Sequence, residues 1–285
     1  VGADSMQIYQ YMDIGTGKPT PEERSLVQHH LVDYIHPAEH YSAGRYKKDA
    51  DDVLKNLHDE EKIPIVVGGT GLYIRAVTHG IFEGPEADHN LRNRLKEKAL
   101  KDGLNSLYQK LKVDDPESSN KIHPNDERRI IRALEVLEIT GKPISTLQKE
   151  QRIRREQRYR YVMFGLTTSR NKLYVTIENR VDQMIEKGLI NEVKGLLKMG
   201  VKEDAVSMQG LGYKEIIPYL RKERSLERAV DVLKQETRHF AKRQFTWFKA
   251  EPRIRWFDTG AFKTREGAVH SFIDSAEREL KKTEQ

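Results

Sequence analysis

The chain contains no cysteine. Disulfides, thiolate nucleophiles and cysteine-ligated metal sites are therefore excluded, and the absence fits a reducing compartment. No apolar run approaches the roughly 18 residues that a membrane-spanning helix needs. No stretch resembles a secretory signal, so a cytoplasmic protein is expected. Histidines are scattered apart from His29-His30, and adjacent residues cannot readily chelate one ion, so that pair reads as structural. No Ser–His–Asp arrangement is legible from spacing. Internal repeats and low-complexity segments are also missing.

What is present is enough for a sizeable core. The 285 residues are 37% hydrophobic and 33% charged, which suits one large domain or two smaller ones. The net charge of +6 is modest, but its distribution is uneven. Basic residues cluster at Arg128–Arg132, Arg152–Arg160 and Arg238–Lys249, a pattern that favours a polyanionic partner such as nucleic acid.

The stretch Ile63–Val77 organises the reading. Ile63, Ile65, Val66 and Val67 form a β-branched run expected to be a buried parallel strand. Gly68-Gly69-Thr70-Gly71 permits a tight turn, and Leu72, Tyr73, Ala76 and Val77 follow at helical spacing. Strand, glycine turn and helix is how open α/β sheets present a ligand site at a strand's carboxyl end; a packing turn with no ligand fits the same residues. Upstream, Met6–Tyr9 suggests a short strand or a helix entry, Gly15–Pro19 a loop, and Pro21-Glu22-Glu23 a helix start. Leu31–Ile35 is a strand candidate, and a helix from Tyr41-Ser42-Ala43 to about Glu61 has Tyr46, Ala50, Val53 and Leu57 on one face. This alternation predicts a parallel α/β sheet. Residues 88–155 show helices over Leu91–Leu111, broken at Gly103, and over Asp126–Ile139, with no strand, so they read as a helical insertion into a core of 1–87 and 156–285. A strand is expected at Tyr161–Leu166, then helices at Arg170–Lys187, Ile190–Met199, Tyr213–Leu220 and Leu226–Lys249, a short strand at Arg255–Phe257, and a charged tail that frays from about Ala276.

Several side chains are candidates for chemistry. Asp4, near a probable strand end, could serve as a general base, although for an aspartate read by itself an Asx-turn or a helix cap is the commoner role. Arg180 falls in the sector of Leu173 and Met184 on its helix, so an inward-facing guanidinium is expected with a carboxylate or a phosphate as partner. On the helix after Asn125-Asp126, Ile130, Leu134 and Leu137 face the core, while Arg128 and Arg132, flanked by Arg129, form a basic face suited to a phosphate backbone. In the last of the four helices, Leu233, Phe240 and Trp247 share an apolar stripe. Lys234, Arg238, Lys242 and Lys249 make a basic stripe, and Arg243 and Gln244 are the polar residues best placed to reach inward. Met208–Lys214 is a glycine-containing turn able to approach a ligand.

Seven segments, in order, match one family: DSMQIY from Asp4, MDIGTGKP, VGGTGLY, IHPNDERRIIRALEV, NRVDQM, QGLGYKE and AKRQFTWF. Together, over almost the whole chain, they closely resemble the bacterial tRNA dimethylallyltransferases (tRNA isopentenyltransferases). The resemblance implies an α/β fold of the P-loop nucleoside-triphosphatase type with a helical insertion that contacts tRNA. It implies transfer of a dimethylallyl group from its diphosphate to N6 of adenosine 37 in tRNAs reading UNN codons, with Mg²⁺ on the diphosphate. The target adenine would be flipped into a channel.

Carried over residue by residue, Asp4 corresponds to the base, Thr70 to the threonine at the reacting amine, and Arg180 to the arginine on the diphosphate. Asp4, Ser5, Met6 and Gln7 match the segment that holds the base. Glu127, Arg128, Arg129, Ile130, Ile131 and Arg132 match tRNA-contacting positions. So do Gln209, Gly210, Leu211, Gly212, Tyr213 and Lys214, and also Lys242, Arg243 and Gln244. The implied partners are the tRNA anticodon stem-loop and dimethylallyl diphosphate, with a monomer needing no protein partner. The family's glycine-rich phosphate loop, with its Lys and Thr, precedes the Asp and is not in this sequence; the expectation is that it belongs upstream of Val1. A prenyltransferase of free adenine nucleotides, a P-loop small-molecule kinase and a non-catalytic RNA-binding module remain the alternatives.

Overall fold

In the computed structural model, residues 1–82, 84–153 and 159–283 are described. Most of the basic cluster at 152–160, and the insertion boundary at 155–156, fall outside them. The chain forms two compact units, one of Val1–Thr78 with Arg158–Gln285 and the other of His79–Gln157.

The elements in order are α1 Pro21–Leu26, α2 Ala43–Asp59, α3 Gly71–Thr78, α4 His89–Asp102, α5 Leu104–Asp114, α6 Pro116–Lys121, α7 Glu127–Thr140 and α8 Ile144–Ile153. Then come β1 Met163–Thr167, α9 Arg170–Glu186, α10 Leu189–Lys198, α11 Tyr213–Leu220, α12 Leu226–Lys249, β2 Ile254–Asp258 and α13 Arg265–Thr283. Among the described residues, β1 and β2 form a two-stranded parallel sheet with Met163 opposite Ile254 and Thr167 opposite Asp258. Two isolated parallel bridges, Gly2 with Val67 and Tyr9 with Ile35, add extended pairing in the first unit. No helix of the described residues is long and apolar enough to cross a membrane.

Local sequence explains the helix starts. Thr20 and Glu23 make a reciprocal capping box before Pro21. Ser42, Asp88, Asp126, Ser169 and Ser225 each accept a backbone N–H at the head of α2, α4, α7, α9 and α12. Helix α2 buries Tyr46, Ala50 and Leu54, with Leu54 taking a place that periodicity gave to its neighbours. Tyr46 stacks on Tyr73 of α3 at 3.8 Å between ring centroids, which fixes α3 and the turn before it. The expected fraying of the tail is not found: α13 continues to Thr283, anchored by Phe272 against Phe164 and Phe257 and by the Arg255–Glu279 ion pair.

The segment 63–67 departs from expectation. It is extended, but Ile63, Ile65 and Val67 are 70%, 74% and 66% exposed, and only Val67 is in a bridge. The alternating side chains leave the unit on one face, and among the described residues nothing covers them. Leu31–Ile35 is likewise a bent segment, with φ of 58° at both Leu31 and Asp33, and not a strand.

The second unit is helical, including the short α6 and α8 that periodicity did not reveal. Its core is Leu91 and Leu95 of α4, Leu107 and Leu111 of α5, Ile130, Ile131 and Leu134 of α7, and Ile144 of α8. Among the described residues, two carboxylates are buried in this unit: Asp115, held by Ser118 and Ser145, and Glu135, which has no exposed surface. The Glu135 carboxylate accepts from Arg92 Nε at 2.8 Å and Nη2 at 2.9 Å, from Arg132 Nη1 at 2.6 Å and from the Asp88 N–H at 2.9 Å. Burial alone would raise its pKa; the hydrogen bonds from Arg92 and Arg132 outweigh burial and hold it below the ordinary glutamate value.

Removing that charge strands two guanidinium groups, so Glu135→Gln is expected to cost about 2–3 kcal/mol at neutral pH, the arginines being partly solvated. Because the folded pKa is depressed, the contribution is complete above the unfolded value near 4.5 and is lost as pH falls through the lower folded value. Thermal melts of both proteins from pH 7 to pH 3 check this: the gap should close below pH 4.5, and a constant gap would refute the assignment.

Candidate active site

The site begins where the first residues lie against the glycine turn. Ala3 donates its N–H to Val67 O at 2.7 Å, and Ala3 O accepts from Thr70 N at 3.1 Å. This places Ser5 over Thr70. Thr70 Oγ1 accepts from Ser5 N at 2.9 Å and donates to Ser5 Oγ at 3.2 Å. Asp4 Oδ1 accepts from the N–H groups of Met6 at 2.8 Å and Gln7 at 3.3 Å, which is an Asx-turn, and Oδ2 is left unpartnered among the described residues. Tyr73, one turn into α3, is buried behind them. Burial first, then the neighbouring tyrosines and the Asp4 carboxylate, pushes its hydroxyl pKa up, so it stays neutral.

The glycines of the turn do not open it to a ligand. A β-carbon at Gly69 would collide with the Gln244 side chain, and one at Gly71 with the Trp247 indole. Gln244 Nε2 donates to Gly69 O at 3.0 Å. Gly69 and Gly71 therefore let α12 dock, Gly68 lets the Ala3 backbone approach, and Thr70 is the one turn residue whose side chain faces the Asp4 segment.

The loop Asp13–Lys18 forms the other wall. Lys18 is buried and holds the loop's exit: its Nζ donates to Tyr9 O at 2.7 Å, Asp13 Oδ1 at 2.6 Å and Asp33 Oδ1 at 2.7 Å. Burial opposes the charge on Asp33, but Lys18 and Arg24 prevail and hold its pKa below the usual range. At the tip, Gln7 Nε2 donates to Thr16 O at 3.2 Å and Gly17 O at 3.1 Å. Gly17 has φ of +59°, and a β-carbon there would strike the Arg180 guanidinium. Arg180 Nη2 lies 3.5 Å from Thr16 O, a weak contact.

Arg180 is thus at the site, but it does not point into the core as the helical wheel implied. Ile177 and Val181 are the buried residues of α9, while Arg180 is exposed beside them. A long side chain can leave an apolar flank and carry its charge outward. Among the described residues it has no carboxylate partner.

The remaining candidates divide by burial. Arg128 and Arg129 are exposed, as are Glu127, Gln209, Lys214, Lys242 and Arg243. Ile130 and Ile131 are core residues at 0% and 4% exposure, so their side chains cannot meet a surface ligand. Arg132 is held by Glu135 and by Pro85 O at 2.9 Å, which makes it structural and not part of a free basic face. Gly210 and Gly212 are buried, Leu211 is half-buried, and Tyr213 is fully buried with its hydroxyl on Glu192. Of α12's apolar stripe only Leu233 is buried; Phe240 and Trp247 are 39% and 41% exposed. Of its basic stripe, Lys234 and Arg238 are paired with Asp182 and Glu178 of α9 at 2.7 Å each. Gln244 reaches inward as expected, whereas Arg243 stays exposed over the Phe240 ring.

Sequence reasoning missed Lys18, Glu192 and Trp247 as residues that shape the site. For Lys18 a weak signal existed, since a lysine between Gly17 and Pro19 follows two acceptor-rich turns. Nothing local marks Glu192. No group of three His, Asp or Glu side chains able to hold a metal occurs among the described residues.

A family profile described as IPP transferase matches residues 7–251. The tRNA dimethylallyltransferase of Caldanaerobacter subterraneus subsp. tengcongensis is 48% identical over 283 residues, spanning 99% of this chain and 90% of that protein. That of Carboxydothermus hydrogenoformans is 51% identical over 261 residues, spanning 91% and 83%. Among solved structures, the tRNA isopentenylpyrophosphate transferase of Bacillus halodurans superposes with a TM-score of 0.69 at 40% identity, covering 99% of this chain and 89% of its own. A eukaryotic dimethylallyltransferase acting on tRNA gives 0.74 at 27% identity, covering 91% and 67%. With the profile match covering most of its length and close relatives matched nearly end to end, this chain belongs to the IPP transferase family of prenyltransferases.

Proposed function

We propose that the chain transfers a dimethylallyl group from dimethylallyl diphosphate to N6 of adenosine 37 in tRNAs that read codons beginning with U. The observation that carries this is the Thr70 hydroxyl bonded to Ser5, immediately after Asp4, which joins two polar groups 65 positions apart in one place. N6 attacks carbon 1 of the allyl group while the carbon–oxygen bond to diphosphate breaks, and the proton leaving N6 passes to Asp4 Oδ2. Oδ1 is fixed by two N–H groups, so the carboxylate is oriented before the acceptor arrives. Thr70 gives its proton to Ser5 Oγ and uses one lone pair on Ser5 N, leaving the other to accept from the N6 amine.

Arg180, exposed and with no carboxylate partner among the described residues, is a cation available to the departing diphosphate. A magnesium ion, taking most of its ligands from diphosphate and water, would share that charge. The fold we assign is of the P-loop nucleoside-triphosphatase type, supported by parallel pairing and by the extended segment, glycine turn and helix at 63–78. The exposed cations Arg128, Arg129, Lys214, Lys242 and Arg243 supply contacts to the anticodon stem-loop, and action on tRNA places the enzyme in the cytoplasm.

Asp4→Asn keeps the Asx-turn but removes the base, so kcat should fall about 10²–10⁴-fold with the dissociation constant for tRNA little changed; equal losses in both would count against a proton-accepting role. Thr70→Ser should retain most activity and Thr70→Val should not. Arg180→Ala should raise KM for dimethylallyl diphosphate by roughly tenfold or more, as for loss of a charge-assisted hydrogen bond. An unchanged KM would remove Arg180 from the donor site. Offering AMP beside an anticodon stem-loop tests the acceptor: turnover of AMP alone would point to an adenine-nucleotide prenyltransferase.

A further inference from the structure

Glu192 lies outside every motif that resembles the family, yet it accepts more hydrogen bonds than any site residue described above. It stands near the start of α10, half-buried. Its Oε2 accepts from Asp13 N at 2.9 Å and Ile14 N at 2.8 Å. Its Oε1 accepts from Gly15 N at 3.0 Å and from the Tyr213 hydroxyl at 2.6 Å. Burial first, then the adjoining carboxylate, pushes the Tyr213 hydroxyl pKa up, so that hydroxyl remains a donor. The Tyr213 ring also lies where a β-carbon of Gly15 would stand, so the loop rests directly on it.

Three successive backbone N–H groups on one carboxylate leave the loop little rotational freedom. Thr16 Oγ1 closes the same turn onto Met12 O at 2.6 Å. The next two carbonyls, of Thr16 and Gly17, are those that receive Gln7 Nε2, and Thr16 O is the one beside Arg180 Nη2. Glu192 hydrogen-bonds neither Gln7 nor Arg180.

We propose that Glu192, backed by Tyr213, is a positioning residue for the transfer: it clasps loop 13–15 and thereby fixes the Gln7 amide and the Arg180 guanidinium. This rests on the prenyl-transfer reading above. Glu192→Gln keeps the side chain's shape but turns one acceptor into a donor facing backbone N–H groups. Leaving these donors, at Ile14 and Gly15 partly shielded from water, without their acceptor should lower kcat/KM by roughly 10- to 100-fold.

A double-mutant cycle with Gln7→Ala separates positioning from general support of the fold. If Glu192 acts through the loop, the double variant loses little beyond the worse single variant; additive losses overturn the proposal. Tyr213→Phe, which deletes one of the four donors and keeps the ring, should give a smaller loss with the same non-additivity, and it serves in the cycle if Glu192→Gln fails to fold. Amide hydrogen exchange on the full chain gives a readout independent of activity. Asp13, Ile14 and Gly15 should exchange faster in Glu192→Gln while the amide of Leu233 in α12 is unchanged. Unchanged exchange at residues 13–15 overturns the clasp. If the wild-type protein transfers no prenyl group, the functional reading fails, and the clasp is then decided by the exchange result alone.

Discussion

The site depends on satisfying backbone polar groups in segments that have no ladder to bond to. Residues 4–18 contain no helix and only one isolated bridge, at Tyr9, so their N–H and C=O groups need other partners. Turns and the segment 33–35 satisfy some of them, as in Gln10 N to Ile35 O, and side chains supply others. Asp4 takes the N–H groups of Met6 and Gln7, and Glu192 takes those of Asp13, Ile14 and Gly15. Lys18 gives to Tyr9 O, and Gln7 to Thr16 O and Gly17 O. Gln244 secures Gly69 O in the opposite turn. The same polar side chains that a functional scan would single out also hold the chain in place. A loop built this way is ordered by a few strong contacts, each of which can be removed by a single substitution.

Charge is divided along the same lines. The basic residues that look uniform in sequence fall into two populations. Arg132, Lys234, Arg238 and Lys18 are matched by Glu135, Asp182, Glu178, Asp13 and Asp33, and they neutralise carboxylates within their own unit. Arg128, Lys242, Arg243 and Arg180 are exposed and lack such partners among the described residues. The second population is free to meet a polyanion, as are the exposed Arg129 and Lys214 despite their neighbouring carboxylates, and the salt dependence of tRNA affinity would report on these residues.

Much of the fold was legible because helices carry their own signals. The spacing of apolar residues located α9 to α12, and Tyr41-Ser42-Ala43 and Asn125-Asp126 marked the starts of α2 and α7, to within a few residues. What failed were inferences that depend on tertiary neighbours. The β-branched run at 63–67 reads as buried whichever way it faces, because β propensity does not record what covers a strand. Glycines in a turn announce a close approach but not what approaches; at Gly69 and Gly71 it is α12. The Arg180 position on the wheel was right about its flank and wrong about its burial, since a wheel fixes the Cβ direction and a guanidinium lies several bonds beyond it. Glu192 was illegible for a further reason: its three loop partners are about 180 residues away in sequence, and only their backbone takes part.

Asp4 shows why a structural role and a chemical one need not compete. Sequence reasoning set an Asx-turn against a general base as rival explanations of one aspartate. A carboxylate has two oxygens, and here the turn uses only Oδ1. The hydrogen bonds that make the turn also fix the plane of the carboxylate, so Oδ2 is aimed by the backbone itself. Thr70 follows the same logic: one lone pair and its proton are spent on Ser5, and what is left is a single acceptor of fixed direction. In the transfer proposed above, a pre-oriented acceptor pair would avoid the entropy of arranging two free side chains when the amine arrives. On that proposal, the local turn is the means by which the geometry at Asp4 and Thr70 is set.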